Sequence, residues 1–203
     1  MSQPKPFNQA IRFWTLRVAV LACLPLIVFS QSAWRETPVV HHGLEALGSL
    51  IIVAAVLGRF WAILYIGGRK NRQVVQDGPY SMCRHPLYFS TTIGALGLGL
   101  LLGSFVIAAL LAMLALGILT ATAIREEKFL RAEFAPEYDL YAARVPRILP
   151  NLSLFHTEAE VTFNTGTLRT NLADALGFLA VIPFAEVMEA LRESDLLGSF
   201  ILP

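Results

Sequence analysis

Charged residues are scarce in this sequence. Of its 203 residues 15% are charged, 55% are hydrophobic, and the mean hydropathy is +0.58. Soluble domains carry about 25% charged residues, so the composition indicates that much of the chain lies in a bilayer. The formal net charge is only +1, and this balance gives no indication of nucleic-acid binding.

Cysteine is almost absent as well. Cys23 lies in an apolar run and Cys83 in a polar motif, and two cysteines make neither a disulfide framework nor a zinc site. We therefore expect two free thiols. Of the four histidines only His85 lies in a motif, so the sequence predicts no metal site.

Long apolar runs, in contrast, are abundant. A membrane-spanning helix needs about 20 mostly apolar residues. By this measure residues 1–203 form a single all-α membrane domain, a polytopic transmembrane helical bundle. Its five approximate spans are expected at residues 13–30, 44–66, 86–102, 104–124 and 172–190. The third and fourth come from one uncharged stretch, in which Gly103 and Ser104 are the expected turn of a hairpin.

The first and last of these spans have alternative interpretations. Lys5 and Arg12 precede the first apolar run, as in a signal peptide, but the later apolar segments favour a membrane span. The last segment carries Asp174 and Glu186. Because carboxylates are costly within a bilayer, it either crosses the membrane or lies at the interface.

Basic residues are concentrated in alternate loops. They precede the first span, and they recur in residues 69–84 and 125–169, whereas Arg35 alone lies between the first two spans. Loops rich in Lys and Arg face the cytoplasm. We therefore expect the N-terminus and the two polar segments, residues 69–88 and 125–150, on the cytoplasmic side of an inner or plasma membrane.

The two polar segments flank the predicted hairpin. Because the hairpin turns near Gly103, its outer ends come close together, and they carry Arg84 and His85 on one side and Glu126 and Glu127 on the other. Taken singly, the arginine can extend to the interface and the glutamates can form a solvated helix face. Placed opposite each other, these groups favour a site for a zwitterionic ligand.

Two further groups stay open to two interpretations. Tyr138 and Tyr141 lie three residues apart on one helix face. Together with Arg144-Val145-Pro146-Arg147 and Pro150 they form either a lid or an interfacial helix with an aromatic belt. Arg59, inside the second span, either reaches the interface or binds an anionic group.

Several motifs recur together in one known superfamily. The chain resembles the isoprenylcysteine carboxyl methyltransferases and phospholipid N-methyltransferases, which are integral membrane enzymes that use S-adenosylmethionine. The resemblance covers roughly residues 69–150 and rests on Gly78-Pro79-Tyr80, Arg84-His85-Pro86-Leu87-Tyr88, Glu126-Glu127, Tyr138, Tyr141 and the segment from Arg144 to Pro150. A glycine common in the superfamily is replaced around Ala135-Pro136, so the turn of the lid is expected to differ.

The resemblance implies S-adenosylmethionine as the cofactor. The cofactor-binding residues it implies, together with those whose chemistry suits the ligand, are Arg84, His85, Pro86, Tyr88, Glu126, Glu127, Tyr138 and Tyr141. The arginine and histidine suit the carboxylate of the cofactor, and the glutamates suit its ammonium group or ribose hydroxyls. No metal is implied.

The resemblance also implies a lipid-like or prenylated methyl acceptor. Methyl transfer to a carboxylate needs orientation, for which Arg144 and Arg59 are the candidates, and transfer to an amine needs a base, for which Glu127 or His85 is the candidate. The nominal acceptor is the carboxylate of an isoprenylcysteine-like group. A phospholipid amine, a small hydrophobic thiol, and a membrane binding or assembly protein without enzymatic activity remain as alternatives.

Overall fold

The computed structural model describes residues 9–69, 72–193 and 200–202. The predicted α-helical fold is confirmed, with one addition, a pair of three-residue parallel strands that joins Ser30–Ser32 to Phe200–Leu202. The elements in chain order are α1 (Gln9–Phe29), β1 (Ser30–Ser32), α2 (Pro38–Ile66), α3 (Pro79–Met82), α4 (Pro86–Leu101), α5 (Phe105–Phe134), α6 (Glu137–Arg144), a 3-10 turn (Leu152–Leu154), α7 (Thr165–Leu179), α8 (Val181–Glu193) and β2 (Phe200–Leu202).

Among the residues that the structure describes, two helices are long and apolar enough to cross a membrane, judged by length and composition. These are α2 with 29 residues and α5 with 30 residues. Two shorter apolar helices accompany them, at Trp14–Phe29 and in α4. The count of five spans and the cytoplasmic orientation stay predictions.

The predicted hairpin is present. Gly103 has a φ of +69°, a conformation that favours glycine, and the Ser104 side chain accepts a hydrogen bond of 3.2 Å from the backbone N–H of Ile107, which caps α5. At 1.5 Å per residue α5 is about 45 Å long, whereas the hydrocarbon core is about 30 Å thick. The charged last turns of α5, from Arg125 onwards, therefore project beyond its apolar part.

Small residues let the central helices approach closely. A Cβ atom on Gly48 of α2 would lie 2.6 Å from the carbonyl oxygen of Gly97 in α4. On the other side of α4, a Cβ atom on Gly99 would overlap the backbone of Ala108 in α5. Helix contacts through glycine are typical of membrane bundles, where packing rather than the hydrophobic effect drives association. These contacts fix α4 between α2 and α5.

The segment predicted as a fifth span is divided between two helices. Helix α7 ends at Leu179 and α8 begins at Val181, and both are shorter than the roughly 20 residues that a span needs. Pro183 explains the break, because a proline ring clashes with the carbonyl four residues earlier, here Leu179. Ala185 of α8 is buried in the core. That this segment crosses the membrane stays a prediction, and the side chain of Asp174 lies outside the described residues.

Backbone hydrogen bonds join the two polar segments. The N–H groups of Arg84 and His85 donate to the carbonyls of Pro146 and Arg147 at 2.9 and 3.0 Å. Farther along, the N–H of Asn151 donates to the Met82 carbonyl at 2.9 Å. Residues 146–151 are thereby fixed against the loop that leads into α4.

Candidate active site

Four basic side chains converge on Glu127, which is 1% exposed. Arg147 donates from Nε to Oε1 at 2.9 Å and from Nη2 to Oε2 at 3.1 Å. Arg84 Nη1 lies 3.0 Å from Oε2, and His85 Nε2 lies 3.3 Å from Oε1. Arg131, one turn farther along α5, lies 3.9 Å from Oε2. Positive charge therefore surrounds the carboxylate, in the part of α5 that is predicted to lie on the cytoplasmic side.

This environment determines the protonation state of Glu127. Burial alone would raise its pKa, but the hydrogen bonds from His85 and Arg147 and the charge of Arg84 together outweigh burial and lower the pKa to about 2. The hydrogen bond with Glu127 in turn raises the pKa of Arg147. Glu127 is ionised at neutral pH, and it is a poor proton acceptor there.

Glu126, the neighbour of Glu127 in sequence, interacts with Tyr88 and lies close to His85. The Tyr88 hydroxyl donates to Oε2 of Glu126 at 2.7 Å, and His85 Nδ1 lies 3.8 Å from that oxygen. The imidazole ring stacks on Tyr88 with a centroid distance of 5.1 Å and an interplanar angle of 6°. Pro86, which lies between His85 and Tyr88 in the sequence, is the first residue of α4. His85 is thus held between the two glutamates.

The predicted lid residues pack against this cluster. Tyr138 and Tyr141 of α6 are buried and meet edge to face at 5.9 Å. The Tyr141 hydroxyl donates to the Tyr80 carbonyl at 2.7 Å, which fixes α6 against α3. Arg131 pairs with Asp139 at 3.2 Å and joins α5 to α6. The cofactor contacts predicted for the two tyrosines remain predictions.

Tyr80 is a further candidate site residue, and it is absent from the cofactor-binding residues predicted above. Its side chain is 5% exposed, and within the described part of the chain its hydroxyl has no hydrogen-bond partner. Burial, and then electrostatic interaction with Tyr141, Cys83, Glu126 and Tyr88, raises its pKa well above the ordinary value, so the hydroxyl stays a donor. An unpaired buried hydroxyl costs about 1–3 kcal/mol. Its position in the Gly78-Pro79-Tyr80 motif was the available signal.

The two arginines predicted to orient the acceptor form hydrogen bonds with residues outside the Glu127 cluster. Arg59 Nη1 donates to the Thr91 hydroxyl at 2.7 Å, one turn beyond Tyr88 on α4. Arg144 is exposed and donates to Gln76 at 3.2 Å. Their catalytic roles remain predictions. Arg147, three residues after Arg144, is the arginine that binds Glu127. The sequence indicated it only as part of the lid segment.

Both cysteines are free and buried, as expected. Burial raises the pKa of the Cys83 thiol to about 12. Within the described residues, no group of three or more metal-ligating side chains is arranged to hold a metal ion.

Comparison with known proteins identifies similar sequences. Residues 43–137 match the family model described as phospholipid methyltransferase. The chain is 37% identical to the nickel-cobalt-cadmium resistance protein NccN of Alcaligenes xylosoxydans xylosoxydans, over 100% of this chain and 95% of that protein. It is 38% identical to the cobalt-zinc-cadmium resistance protein CzcN of Cupriavidus metallidurans, over 94% and 87% of the two chains.

A shorter match links the chain to an enzyme. It is 35% identical over 81 residues to the protein-S-isoprenylcysteine O-methyltransferase of Schizosaccharomyces pombe, which is 40% of this chain and 34% of that enzyme. No solved structure matches the chain. From the family match and from the close relatives that cover nearly all of its length, the chain belongs to the phospholipid methyltransferase family.

Proposed function

We propose that this membrane protein transfers a methyl group from S-adenosylmethionine to a hydrophobic, membrane-borne acceptor, nominally the carboxylate of an isoprenylcysteine-like group. The observation that carries the proposal is the cluster of Glu126, His85 and Glu127 with Arg84 and Arg147, where the two helices of the hairpin end. The proposed site faces the cytoplasm, in an inner or plasma membrane.

The chemistry of the cluster suits this cofactor. Arg84 and His85 offer positive charge to the cofactor carboxylate, and Glu126 offers negative charge to its ammonium group or an acceptor for ribose hydroxyls. The buried Tyr80 hydroxyl, which lacks a partner in the part of the chain that the structure describes, offers a further donor. When bound, S-adenosylmethionine supplies an electrophilic methyl group, and the protein binds and orients it.

The ionisation of Glu127 bears on the choice of acceptor. An amine must lose a proton before or during methylation, and a carboxylate whose pKa is about 2 is a weak base for that step. His85 is then the remaining candidate base near the glutamates. A carboxylate acceptor needs no base, so the geometry favours it over a phospholipid amine. A small hydrophobic thiol stays an alternative.

A second candidate function comes from the names of the relatives. NccN and CzcN are named as metal resistance proteins, so a membrane binding or assembly protein of metal resistance without enzymatic activity is the competing proposal. The electrostatics do not favour direct cation binding at the cluster, because Arg84, Arg131 and Arg147 already neutralise Glu127.

A transfer assay distinguishes the two proposals. The full chain is reconstituted in liposomes with radiolabelled S-adenosylmethionine and, in separate reactions, a farnesylated cysteine, phosphatidylethanolamine or an alkyl thiol. We expect label in the farnesylated cysteine, loss of transfer in Glu126→Gln, and normal transfer in Glu133→Gln, an exposed residue of the same helix. Label in another acceptor would replace only the nominal substrate. Absence of transfer to all three would count against the enzyme.

A further inference from the structure

One face of α2 carries a continuous stripe of exposed apolar side chains. Leu50, Val53, Leu57 and Trp61 are all exposed, and their spacing of three, four and four residues places them on a single helix face. Because α2 is one of the two helices long and apolar enough to cross a membrane, this stripe is a lipid-facing surface.

The stripe ends at the level of the membrane interface. Helix α2 is about 43 Å long at 1.5 Å per residue, which exceeds the roughly 30 Å of hydrocarbon. Trp61 lies near its C-terminal end, two residues after Arg59. Tryptophan is enriched at headgroup level.

Trp61 connects the stripe to a segment outside the helices of the bundle. Its ring packs on Phe155 at a centroid distance of 5.8 Å. The chain before Phe155 exposes two further apolar side chains, Leu149 at 69% and Leu152 at 73%. Through Phe155 the apolar surface of α2 continues onto the segment 149–155, in which Leu149 and Leu152 are also exposed. Their sequence neighbours Asn151 and Ser153 are polar and exposed.

The same segment is attached to the site. Asn151 donates its N–H to the Met82 carbonyl at 2.9 Å, and Arg147, two residues before Leu149, holds Glu127. A surface that fixes residues 149–155 thus also fixes the position of Arg147.

We propose that Leu149, Leu152 and Phe155, together with Trp61, form an anchor that inserts shallowly into the headgroup region of the bilayer. The occupant of this surface is lipid, since the surface is continuous with the lipid-facing stripe of α2. The anchor holds the segment that carries Arg147 against the membrane at the same level as the site. It is an interfacial contact in addition to the membrane spans, and it does not depend on which methyl acceptor is used.

Site-directed spin labelling tests the anchor. Leu149→Cys and Leu152→Cys are each labelled with a nitroxide in the full chain, reconstituted in liposomes of phosphatidylcholine and phosphatidylglycerol. The unmodified protein gives the labelling background, because Cys23 and Cys83 are buried. The control is Leu140→Cys, since Leu140 is also 73% exposed but lies on α6 beside Asp139, which is exposed as well.

Collision rates with oxygen, which partitions into lipid, and with a water-soluble nickel chelate report the depth of each label. We expect labels 149 and 152 within roughly 5–10 Å of the headgroup–acyl boundary, with collisions shifted toward oxygen, and label 140 shifted toward the chelate. Chelate collisions at 149 and 152 equal to those at 140 would overturn the anchor. Low collision rates with both agents at 149 and 152 would also overturn it, because they indicate a protein partner on this surface.

Discussion

Glu127 brings together side chains from three parts of the chain. Arg84 precedes α4, Arg147 follows α6, and both bind one buried carboxylate at the end of α5. Burying an ion costs several kcal/mol, and removing one member of a buried pair leaves the other charges uncompensated. The cluster is therefore a structural requirement of the site as well as its proposed source of ligand contacts.

Glu127→Gln is expected to lower stability. Because the substitution leaves Arg84 and Arg147 without their anion, we expect a loss of roughly 3–5 kcal/mol, measured by thermal or denaturant unfolding of detergent-purified protein. Glu133→Gln, at an exposed position of the same helix, is the matched control and is expected to stay within about 0.5 kcal/mol of the wild type. Equal stability of the two variants would show that the Glu127 cluster contributes little to folding.

The same carboxylate predicts a pH dependence. Its pKa in the folded protein is about 2, below the reference value of 4.5. A depressed pKa stabilises the fold fully above the unfolded value, and this contribution disappears as the pH falls from about 4.5 through 2. We expect the melting temperature of the wild type to decline more steeply over that range than that of Glu127→Gln. Parallel curves would exclude Glu127 as the source.

Tyr80→Phe tests the unpaired hydroxyl. If this group donates to bound S-adenosylmethionine, its loss should weaken binding roughly fivefold, equivalent to about 1 kcal/mol for one hydrogen bond. The melting temperature of the ligand-free protein should stay the same or rise, because the substitution removes an unpaired buried hydroxyl. Tyr65→Phe is the control, because the Tyr65 hydroxyl already pairs with Thr157 at 2.8 Å in the same core cluster. Equal affinity in the wild type and Tyr80→Phe would remove Tyr80 from the binding site.

Part of the cluster could be predicted from the sequence. The hairpin turn at Gly103 brings Arg84 and His85 to the glutamates, as the sequence analysis expected. The position of the turn does not indicate whether Arg147 or Arg144 approaches Glu127. The choice between them depends on backbone pairing of His85 with Arg147, a long-range contact that residue spacing does not reveal.

At the scale of elements, the contact between α4 and α5 depends on Gly99. A Cβ atom there would overlap the backbone of Ala108, so we expect Gly99→Ala to destabilise the protein by about 1–3 kcal/mol through overpacking. Gly117→Ala is the control, because nothing lies within 4 Å of a Cβ atom at that position. Its expected effect is neutral or stabilising by up to about 1 kcal/mol. Similar unfolding curves for the two variants would contradict the close contact.

Hydropathy predicted the long helices better than the end of the bundle. The apolar runs of α2 and α5 are long enough to cross a membrane, and the turn at Gly103 separates α4 from α5 where glycine is needed. In residues 172–190 the averaged hydropathy concealed Pro183, whose ring ends α7 at Leu179. A local steric effect of this kind outweighs a composition signal.

At the scale of the whole molecule, the basic loops predict one orientation. We expect Val39→Cys, at the exposed start of α2, to react with a membrane-impermeant thiol reagent in intact spheroplasts. Glu158→Cys, exposed on the side of the proposed site, should react only after the membrane is permeabilised. The unmodified protein, with two buried cysteines, gives the background. The reverse labelling pattern would invert the topology and place the site outside the cytoplasm.

Calorimetric titration of S-adenosylmethionine into detergent-purified protein measures whether the cluster around Glu126 and Glu127 binds this cofactor. We expect a dissociation constant on the order of micromolar, weakened by about tenfold or more in Glu126→Gln through loss of a charged hydrogen-bond partner, and unchanged in Glu133→Gln. A well-folded wild type that takes up no S-adenosylmethionine would rule out the proposed cofactor site and favour the non-enzymatic role in metal resistance.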